Sequence, residues 1–334
     1  MRVRILGAGI IGLACADELV RRGHSVVLVD PEPGRGASHA AAGMLSPAGE
    51  LWHGETDVFD LGRRSLALWP AFAERVGVHL EVGGTLLAGV DSGDLQEVDR
   101  RLELLADLGV EAQPLAAGEL LALEPGLGRV TGGALLPDEL SVDPREVVAA
   151  LLDRLPAIRE IAGSFDATVV ATGARLPEPF AHLVRPVRGE IIRVRTDDPP
   201  RRTVRGWVRG EHVYAVPRAL RDGRSEVVIG ATSEEHDSAP VPTVGGVSRL
   251  LDAARELLPG LERAELVEAI ARDRPATADH LPLIGPSEMH GVVLAAGHYR
   301  HGVLLAPLTA SLVADHLETG LVEPAVDPRR RPAC

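Results

Sequence analysis

The chain has 334 residues, enough for two average domains, and 45% of them are hydrophobic, so it can bury a large core. With 48 acidic and 35 basic residues the net charge is −13, which argues against nonspecific binding to nucleic acid or to anionic membranes. All basic residues are arginine, which excludes Schiff-base chemistry on lysine and a lysine-containing phosphate loop. The only cysteines, Cys15 and Cys334, cannot form a disulfide framework or a zinc cluster. They indicate a reducing compartment, the cytoplasm, and no metal site is predicted.

The start of the chain predicts a strand, a helix and a second strand. Residues 3–6 form a short apolar strand, and residues 10–22 have helical periodicity with one apolar face. Residues 26–29 form a second apolar strand, and a strand–helix–strand unit of this length has parallel strands. The basic start and the apolar run also resemble a signal peptide, but three glycines interrupt the run at a spacing that favours the strand–helix–strand interpretation.

The rest of the chain has strand signals in its middle and strand–helix signals towards its end. The pattern predicts helices at 61–75, 95–105, 144–155, 246–258 and 303–317, and strands at 85–90, 167–171, 190–195, 212–216, 226–229 and 292–296. The predicted fold class is α/β (α+β overall), with a Rossmann-like nucleotide-binding domain of discontinuous segments and an inserted mixed β-sheet domain that binds substrate. The predicted boundaries assign 1–76, 143–176 and 270–334 to the first domain and 77–142 and 177–269 to the second.

A glycine motif joins the first strand to the first helix. Gly7, Gly9 and Gly12 have the spacing G-x-G-x-x-G, in which the first glycine permits a tight turn, the second admits a pyrophosphate and the third allows close packing of helix on strand. Asp30 ends the second strand, where an acid accepts hydrogen bonds from an adenosine ribose. The motif predicts a dinucleotide site without distinguishing NAD from FAD, and a purely structural glycine turn is the alternative.

Two further features favour FAD. The apolar strand at 167–171 runs into Ala-Thr-Gly, ending at Gly173. A loop at 297–302, bounded by glycines, precedes the last helix, whose positive dipole end would stabilise an anionic reduced flavin. Ordinary strand–helix loops are the alternative interpretation of both features.

Six short motifs occur in an order that resembles a known family. They are Ala-Ala-Ala-Gly-Met-Leu at 40–45, Pro-Val-Arg-Gly-Glu at 186–190, Tyr-Ala-Val-Pro-Arg at 214–218, Gly-Ala-Thr at 230–232, Arg-Pro at 274–275 and Gly-His-Tyr-Arg at 297–300. Together they resemble the flavin-dependent D-amino-acid oxidase family, most closely its thiamine-pathway glycine oxidases. The resemblance covers nearly the whole chain, and the first and last motifs are the most specific.

The resemblance implies that the Rossmann-like domain binds FAD non-covalently. At the adenosine end it implies Ile10, Ile11, Asp30 and Pro31; near the pyrophosphate and flavin, Ala37, Ser38, Ala42, Gly43 and Met44; and around the isoalloxazine, His298, Tyr299, Arg300, His301, Gly302, Val303 and Leu304. The glycines of the two motifs, Gly7, Gly9, Gly12 and Gly173, complete this set. Family members usually carry a β-meander where this chain has only residues 158–168, so Ile161 is the nearest candidate for a backbone contact to adenine, and FAD is expected to bind more loosely.

The resemblance also implies the reaction. Family members oxidise the amine of a small amino acid to an imine by hydride transfer from Cα to flavin N5, and O2 reoxidises the flavin and gives H2O2. In the thiamine branch the imine is handed to thiazole synthase; otherwise it hydrolyses to glyoxylate and ammonia. Because family members are often tetramers, a homo-oligomer is expected.

Four residues are the candidates for substrate contact. By resemblance, Arg274 binds the substrate carboxylate, Tyr214 donates a further hydrogen bond, and Arg300 is a second arginine near the substrate. A guanidinium matches a carboxylate with two parallel hydrogen bonds. His212 precedes Tyr214 by two residues on the predicted strand, so both side chains face the same side. The alternatives are a surface ion pair or a loop brace for an arginine and a hydrogen-bonded core residue for the histidine.

Two departures from the family pattern bear on function. Ser233 and His301 replace an apolar residue and an asparagine, and either change can alter the pocket or the loop. The absence of lysine argues against a sarcosine-oxidase relative, which uses a lysine near the flavin, but it does not exclude N-methylglycine as a substrate. Two alternatives to a glycine oxidase stay open: a broader D-amino-acid or sarcosine oxidase or dehydrogenase of the same fold, and a dinucleotide-binding redox sensor without turnover.

Overall fold

The computed structural model describes residues 1–155, 163–220, 222–235 and 238–330. The strands within these residues are β1 Arg2–Leu6, β2 Ser25–Val29, β3 Met44–Leu45, β4 Leu80–Glu81, β5 Thr85–Gly89, β6 Gln113–Ala116, β7 Gly132–Leu136, β8 Leu140–Val142, β9 Ala167–Val170, β10 Arg185–Thr196, β11 Thr203–Val208, β12 Glu211–Pro217, β13 Ser225–Gly230, β14 Glu265–Ala276, β15 Leu283–Pro286 and β16 Val292–Ala296. The α-helices are α1 Ile10–Arg21, α2 Ala37–Ala40, α3 Thr56–Val76, α4 Ser92–Asp107, α5 Ala117–Leu123, α6 Pro144–Arg154, α7 Val244–Leu257 and α8 Ala306–Thr319.

A five-stranded sheet carries both ends of the described chain in the order β15-β16-β9-β1-β2. β1 pairs in parallel with β2 and β9, and β16 pairs in parallel with β9, so the predicted strand–helix–strand unit is confirmed. Helix α1 contacts α6 and α8, and α3 contacts α8. Leu13, Trp69 and Val313 are fully buried among these elements, because each helix turns an apolar face inwards.

An eight-stranded mixed sheet forms the second layer, in the order β14-β10-β13-β12-β11-β5-β7-β6. Its pairs are antiparallel except for β5 with β11, which run in parallel. Helix α7 covers one part of the sheet, and Leu257 packs there with Ile192 and Val204. The predicted domain boundaries stay a prediction.

The structure changes several predicted elements. The last helix begins at Ala306 rather than at residue 303, because Pro307 has no N–H to donate to the carbonyl of Val303. Helix α3 begins at Thr56, before the predicted start at 61, and β10 extends on both sides of 190–195. The prediction missed β14 because charged residues interrupt its apolar pattern.

Two classes of feature are absent from the part of the chain that the structure describes. No helix there combines the length and the apolar character needed to cross a membrane. No group of three His, Cys, Asp or Glu side chains there is arranged to hold a metal ion.

Candidate functional site

A cavity of about 1010 Å³ lies between the two large sheets. The carboxyl ends of β1, β2 and β9 form one side of it, and β10, β12 and β14 form the other. The predicted site residues that line it are Gly7, Gly9, Ile10, Ile11, Asp30, Pro31, Ala37, Ser38, Ala42, Gly43, Met44, Gly173, His212, Tyr214, Arg274, His298, Tyr299, Arg300, His301, Gly302, Val303 and Leu304. Gly12 does not line the cavity, and Ile161 lies outside the described residues.

The glycine motif has the geometry that its spacing predicts. Gly7 has φ +100°, and a Cβ there would lie 2.3 Å from the carbonyl oxygen of Ala171. A Cβ on Gly12 would lie 2.0 Å from the carbonyl oxygen of Gly7, so Gly12 allows helix α1 to pack on β1 rather than contacting a ligand directly. The Ser38 hydroxyl accepts a hydrogen bond from the backbone N–H of Ile10, 3.0 Å away, at the start of the helix.

Asp30 keeps acceptor capacity on the cavity side. Its Oδ2 accepts from the backbone N–H of Ala8 at 2.6 Å, and its Oδ1 accepts from that of Glu32 at 2.8 Å. Each carboxylate oxygen has two lone pairs, so both oxygens can accept a second hydrogen bond. The carboxylate is thus held in place at the position where an adenosine ribose is expected.

The residues present fit a bound dinucleotide. The N-terminus of α1 opens onto the cavity, where its positive dipole end favours a pyrophosphate. The N–H of Ile10 donates to Ser38, and the other N–H groups of the first turn are directed to the same side. The Thr172 hydroxyl lines the cavity and is buried without a hydrogen-bond partner among the described residues. Gly43 has φ +78°, and its Cβ would lie 1.9 Å from the carbonyl oxygen of Val142, so only glycine allows this close approach.

Helix α3 and strand β14 hold the loop 297–302 against the cavity. The carbonyl oxygen of Leu304, just after this loop, accepts from the Ser65 hydroxyl at 2.6 Å and from the Trp69 indole N–H at 2.8 Å. The backbone N–H of Tyr299 donates to the carbonyl of Pro275 at 2.8 Å. Sequence reasoning missed Ser65 and Trp69, because a buried polar group on a predicted helix does not reveal its distant partner.

Arg274 projects from β14 with its guanidinium group at the cavity wall. Its Nη1 donates to the carbonyl oxygens of Thr232 at 3.1 Å and Arg188 at 3.4 Å. A Cβ on Gly189 would lie 2.4 Å from the guanidinium carbon, so glycine makes room for it. Among the described residues no carboxylate forms an ion pair with Arg274, which leaves its charge available to an acidic ligand.

Tyr214 projects from β12 on the same side as His212. A Cβ on Gly230 would lie 2.3 Å from the Tyr214 hydroxyl, so the ring is packed closely against β13. Burial raises the pKa of Tyr214, and the phenol therefore stays protonated and can donate a hydrogen bond.

Two acids that the sequence reasoning missed pair with arginines near this wall. Glu50 forms an ion pair with Arg205, and burial opposes its ionisation, but the charges of Arg205 and Arg300 lower the pKa of Glu50 well below its ordinary value. Glu55 accepts from Arg300 Nη2 at 3.2 Å. Glu50 follows the motif at 40–45 by a few residues, a weak signal, whereas Arg205 lies on β11, a strand that was not predicted.

His212 lies against this charged group as a neutral imidazole. Burial and then the charge of Arg205 lower its pKa to about 3, and its Nε2 lies 3.4 Å from Arg205 Nη2. An uncharged His212 can accept a hydrogen bond at this wall without adding positive charge.

The comparison with family models agrees with this geometry. The model of the FAD-dependent oxidoreductases (DAO) matches residues 2–316. The chain belongs to this family. The predictions of an α/β fold, of an FAD cofactor and of an enzyme of the flavin-dependent D-amino-acid oxidase family are confirmed.

Known proteins resemble this oxidoreductase over almost its full length. Glycine oxidase of Geobacillus kaustophilus is 33% identical over 95% of this chain and 92% of that protein. Glycine oxidase of Pseudomonas putida is 31% identical over 98% of this chain and 96% of that protein. The bifunctional protein ThiO/ThiG of Trichormus variabilis is 33% identical over 97% of this chain, which spans only 53% of the length of that relative. The crystal structure of the Geobacillus kaustophilus glycine oxidase aligns with a TM-score of 0.87 at 31% identity, covering 99% of this chain and 100% of that chain.

The buried His298 of this oxidoreductase predicts a loss of stability in acid. Burial and then the charge of His301 lower the pKa of His298 from 6.5 to about 3. Between these values the unfolded chain binds the proton and the folded chain does not, so the free energy of unfolding falls as the pH drops below 6.5. His298→Gln should remove roughly 1.4 kcal/mol per pH unit from this slope at pH values well below 6.5, measured by urea unfolding between pH 5.5 and 4.5.

The exposed His182 provides the control for this measurement. His182→Gln should leave the slope as it is in the parent protein, because that side chain is not buried. Equal slopes for the parent and His298→Gln would show that His298 is not a buried neutral imidazole.

Proposed function

We propose that this oxidoreductase oxidises the amine of glycine, or of another amino acid with a very small side chain, to an imine. Bound FAD would supply the acceptor for a hydride from the substrate Cα, and its reoxidation by O2 would give H2O2. The observation that carries the proposal is Arg274, whose guanidinium group lines the cavity without an acidic partner among the described residues.

Arg274 binds the substrate carboxylate in this proposal. A planar guanidinium donates two parallel hydrogen bonds to a carboxylate, and the carbonyl oxygens of Thr232 and Arg188 fix its orientation. A glycine-sized substrate has no side chain to bind, so the ion pair between Arg274 and the substrate carboxylate supplies most of its orientation.

The same side of the cavity as Arg274 also carries Tyr214, His212 and Arg300. The neutral Tyr214 phenol donates a further hydrogen bond to the carboxylate. His212 keeps its proton-free nitrogen towards Arg205, and Arg300 closes the wall beside Trp52. No general base is required when the bound amine is neutral, so these residues act by positioning the substrate and by excluding water.

A place in thiamine biosynthesis is supported by ThiO of Rhizobium etli, a putative thiamine biosynthesis oxidoreductase that is 34% identical over 97% of this chain and 98% of that protein. The bifunctional protein ThiO/ThiG of Trichormus variabilis aligns with nearly all of this chain, over about half of the length of ThiO/ThiG. We propose that the imine passes to a thiazole synthase, and that free imine hydrolyses to glyoxylate and ammonia. A cytoplasmic location and a homo-oligomer are part of the same proposal.

The FAD-loaded protein in air tests the reaction. Glycine should give one H2O2 for each glyoxylate formed, measured with a peroxidase-coupled assay. Reduction of an added dye without peroxide would instead identify a dehydrogenase. If FAD binds but none of the added amino acids changes its absorbance spectrum, the result would contradict the proposed enzyme and favour a redox sensor.

A further inference from the structure

Three of the arginines that line the cavity, Arg205, Arg274 and Arg300, lie around His212 and Tyr214, and two of these three are paired with acids. Arg205 is paired with Glu50, and Arg300 with Glu55, while Arg274 has no acidic partner among the described residues. All three arginines line the cavity, as does Glu50. The wall therefore offers one guanidinium whose charge is not balanced by a neighbouring carboxylate.

Glu55 holds Arg300 from behind this wall. Glu55 does not line the cavity, and its side chain is only 12% exposed, at the start of α3. Its carboxylate accepts from Arg300 Nη2 at 3.2 Å and contacts His280 Nδ1 at 2.7 Å. The other faces of the guanidinium are covered by the rings of Trp52 and Tyr299, with centroids 5.5 Å and 5.1 Å away.

We propose that Glu55 determines how many carboxylates the substrate can carry, an inference that rests on the proposed function. Glu55 is the nearer of two carboxylates that pair with Arg300, the other being Glu50. A ligand with one carboxylate therefore binds at Arg274, whereas a second carboxylate beside it finds both Arg205 and Arg300 already paired. A second carboxylate would also lie near Glu50, which is ionised and only 3.8 Å from Arg300 Nε. The cost of removing it from water is then not offset by an ion pair. Glu55 is a positioning residue, since it acts through Arg300.

Glu55→Gln tests this inference. The amide keeps the size and one acceptor of the carboxylate but removes the negative charge nearest to Arg300. The remaining contact of Arg300 with a carboxylate, that with Glu50, is longer at 3.8 Å. Acetate and malonate are suitable probes, because they differ by one carboxylate and carry no amine to oxidise. We expect the ratio of their affinities to shift towards malonate by on the order of tenfold, since a hydrogen-bonded ion pair to a partly buried guanidinium becomes available. Isothermal titration calorimetry on the FAD-loaded protein measures both affinities.

Three further variants make the result decisive. Glu55→Ala should shift the ratio in the same direction, which covers the case in which the glutamine variant does not fold. In an Arg300→Gln background, Glu55→Gln should produce no shift. Glu97→Gln, which removes an exposed partner of Arg100 on α4, should also leave the ratio unchanged. An unchanged ratio in Glu55→Gln, or the same shift without Arg300, would overturn the inference.

The measurements distinguish a failure of the role of Glu55 from a failure of the proposed function. A parent protein that does not oxidise glycine contradicts the proposed function, but the ratio of malonate to acetate affinity is measured without turnover. A parent protein that oxidises glycine, together with an unchanged ratio in the variants, overturns only the role of Glu55.

Discussion

Replacing Arg274 with alanine should raise the KM for glycine by roughly 30-fold or more. Loss of one partner from a buried, hydrogen-bonded charge pair costs about 2–5 kcal/mol, and each 1.4 kcal/mol is a factor of ten in affinity. The effect should fall mainly on KM, because the carboxylate is bound equally before and during hydride transfer. Steady-state peroxide production at a range of glycine concentrations measures it.

Two variants serve as controls for Arg274→Ala. Arg274→Lys keeps the charge but loses the planar fork, so its KM should lie between those of the parent and the alanine variant. Arg224→Ala removes an exposed arginine paired with Glu265 and should change neither kcat nor KM. Unchanged kinetics in Arg274→Ala would remove this residue from the substrate site.

Gly12→Ala should abolish FAD retention. The added Cβ would lie 2.0 Å from the carbonyl oxygen of Gly7 and 3.0 Å from its carbonyl carbon, so backbone must move where helix α1 meets the first loop. Overpacking of this kind costs about 1–3 kcal/mol of folding free energy, and here it also displaces the helix end that faces the pyrophosphate. Flavin content after gel filtration and the urea midpoint measure the two effects.

Gly245→Ala is the matched control for Gly12→Ala. Gly245 is also helical, but it is exposed on α7 and a Cβ there would meet nothing within 4 Å. Its substitution should retain FAD and should stabilise the protein by up to about 1 kcal/mol, because alanine favours helix more than glycine does. Full FAD retention in Gly12→Ala would show that α1 does not depend on this contact.

Local patterns predicted the backbone geometry around the glycine motif well. The turn at Gly7, the packing at Gly12 and the acid at Asp30 all follow from a motif of fixed spacing on one strand–helix–strand unit. The loop 297–302 was likewise visible, because glycines bound it and an apolar strand precedes it. Such features depend on neighbours in sequence, so the sequence alone is enough to predict them.

The charged side chains around Arg205 and Arg300 on the cavity wall were not predictable in the same way. Glu55 and Arg300 are 245 residues apart, and Arg205 meets Glu50 across 155 residues. Their pairing depends on how two sheets and helix α3 pack together, which no local period encodes. β14 was missed for a related reason: it carries Arg274 and other charged side chains that are stabilised by tertiary contacts rather than by an apolar stripe.

Anaerobic mixing of the FAD-loaded protein with glycine, sarcosine and D-alanine tests the central claim most directly. Glycine should bleach the flavin absorbance in a single turnover, and Arg274→Ala should need a much higher glycine concentration for the same rate. A flavin that none of the three amino acids reduces, or one that glycine reduces equally well without the Arg274 guanidinium, would contradict it.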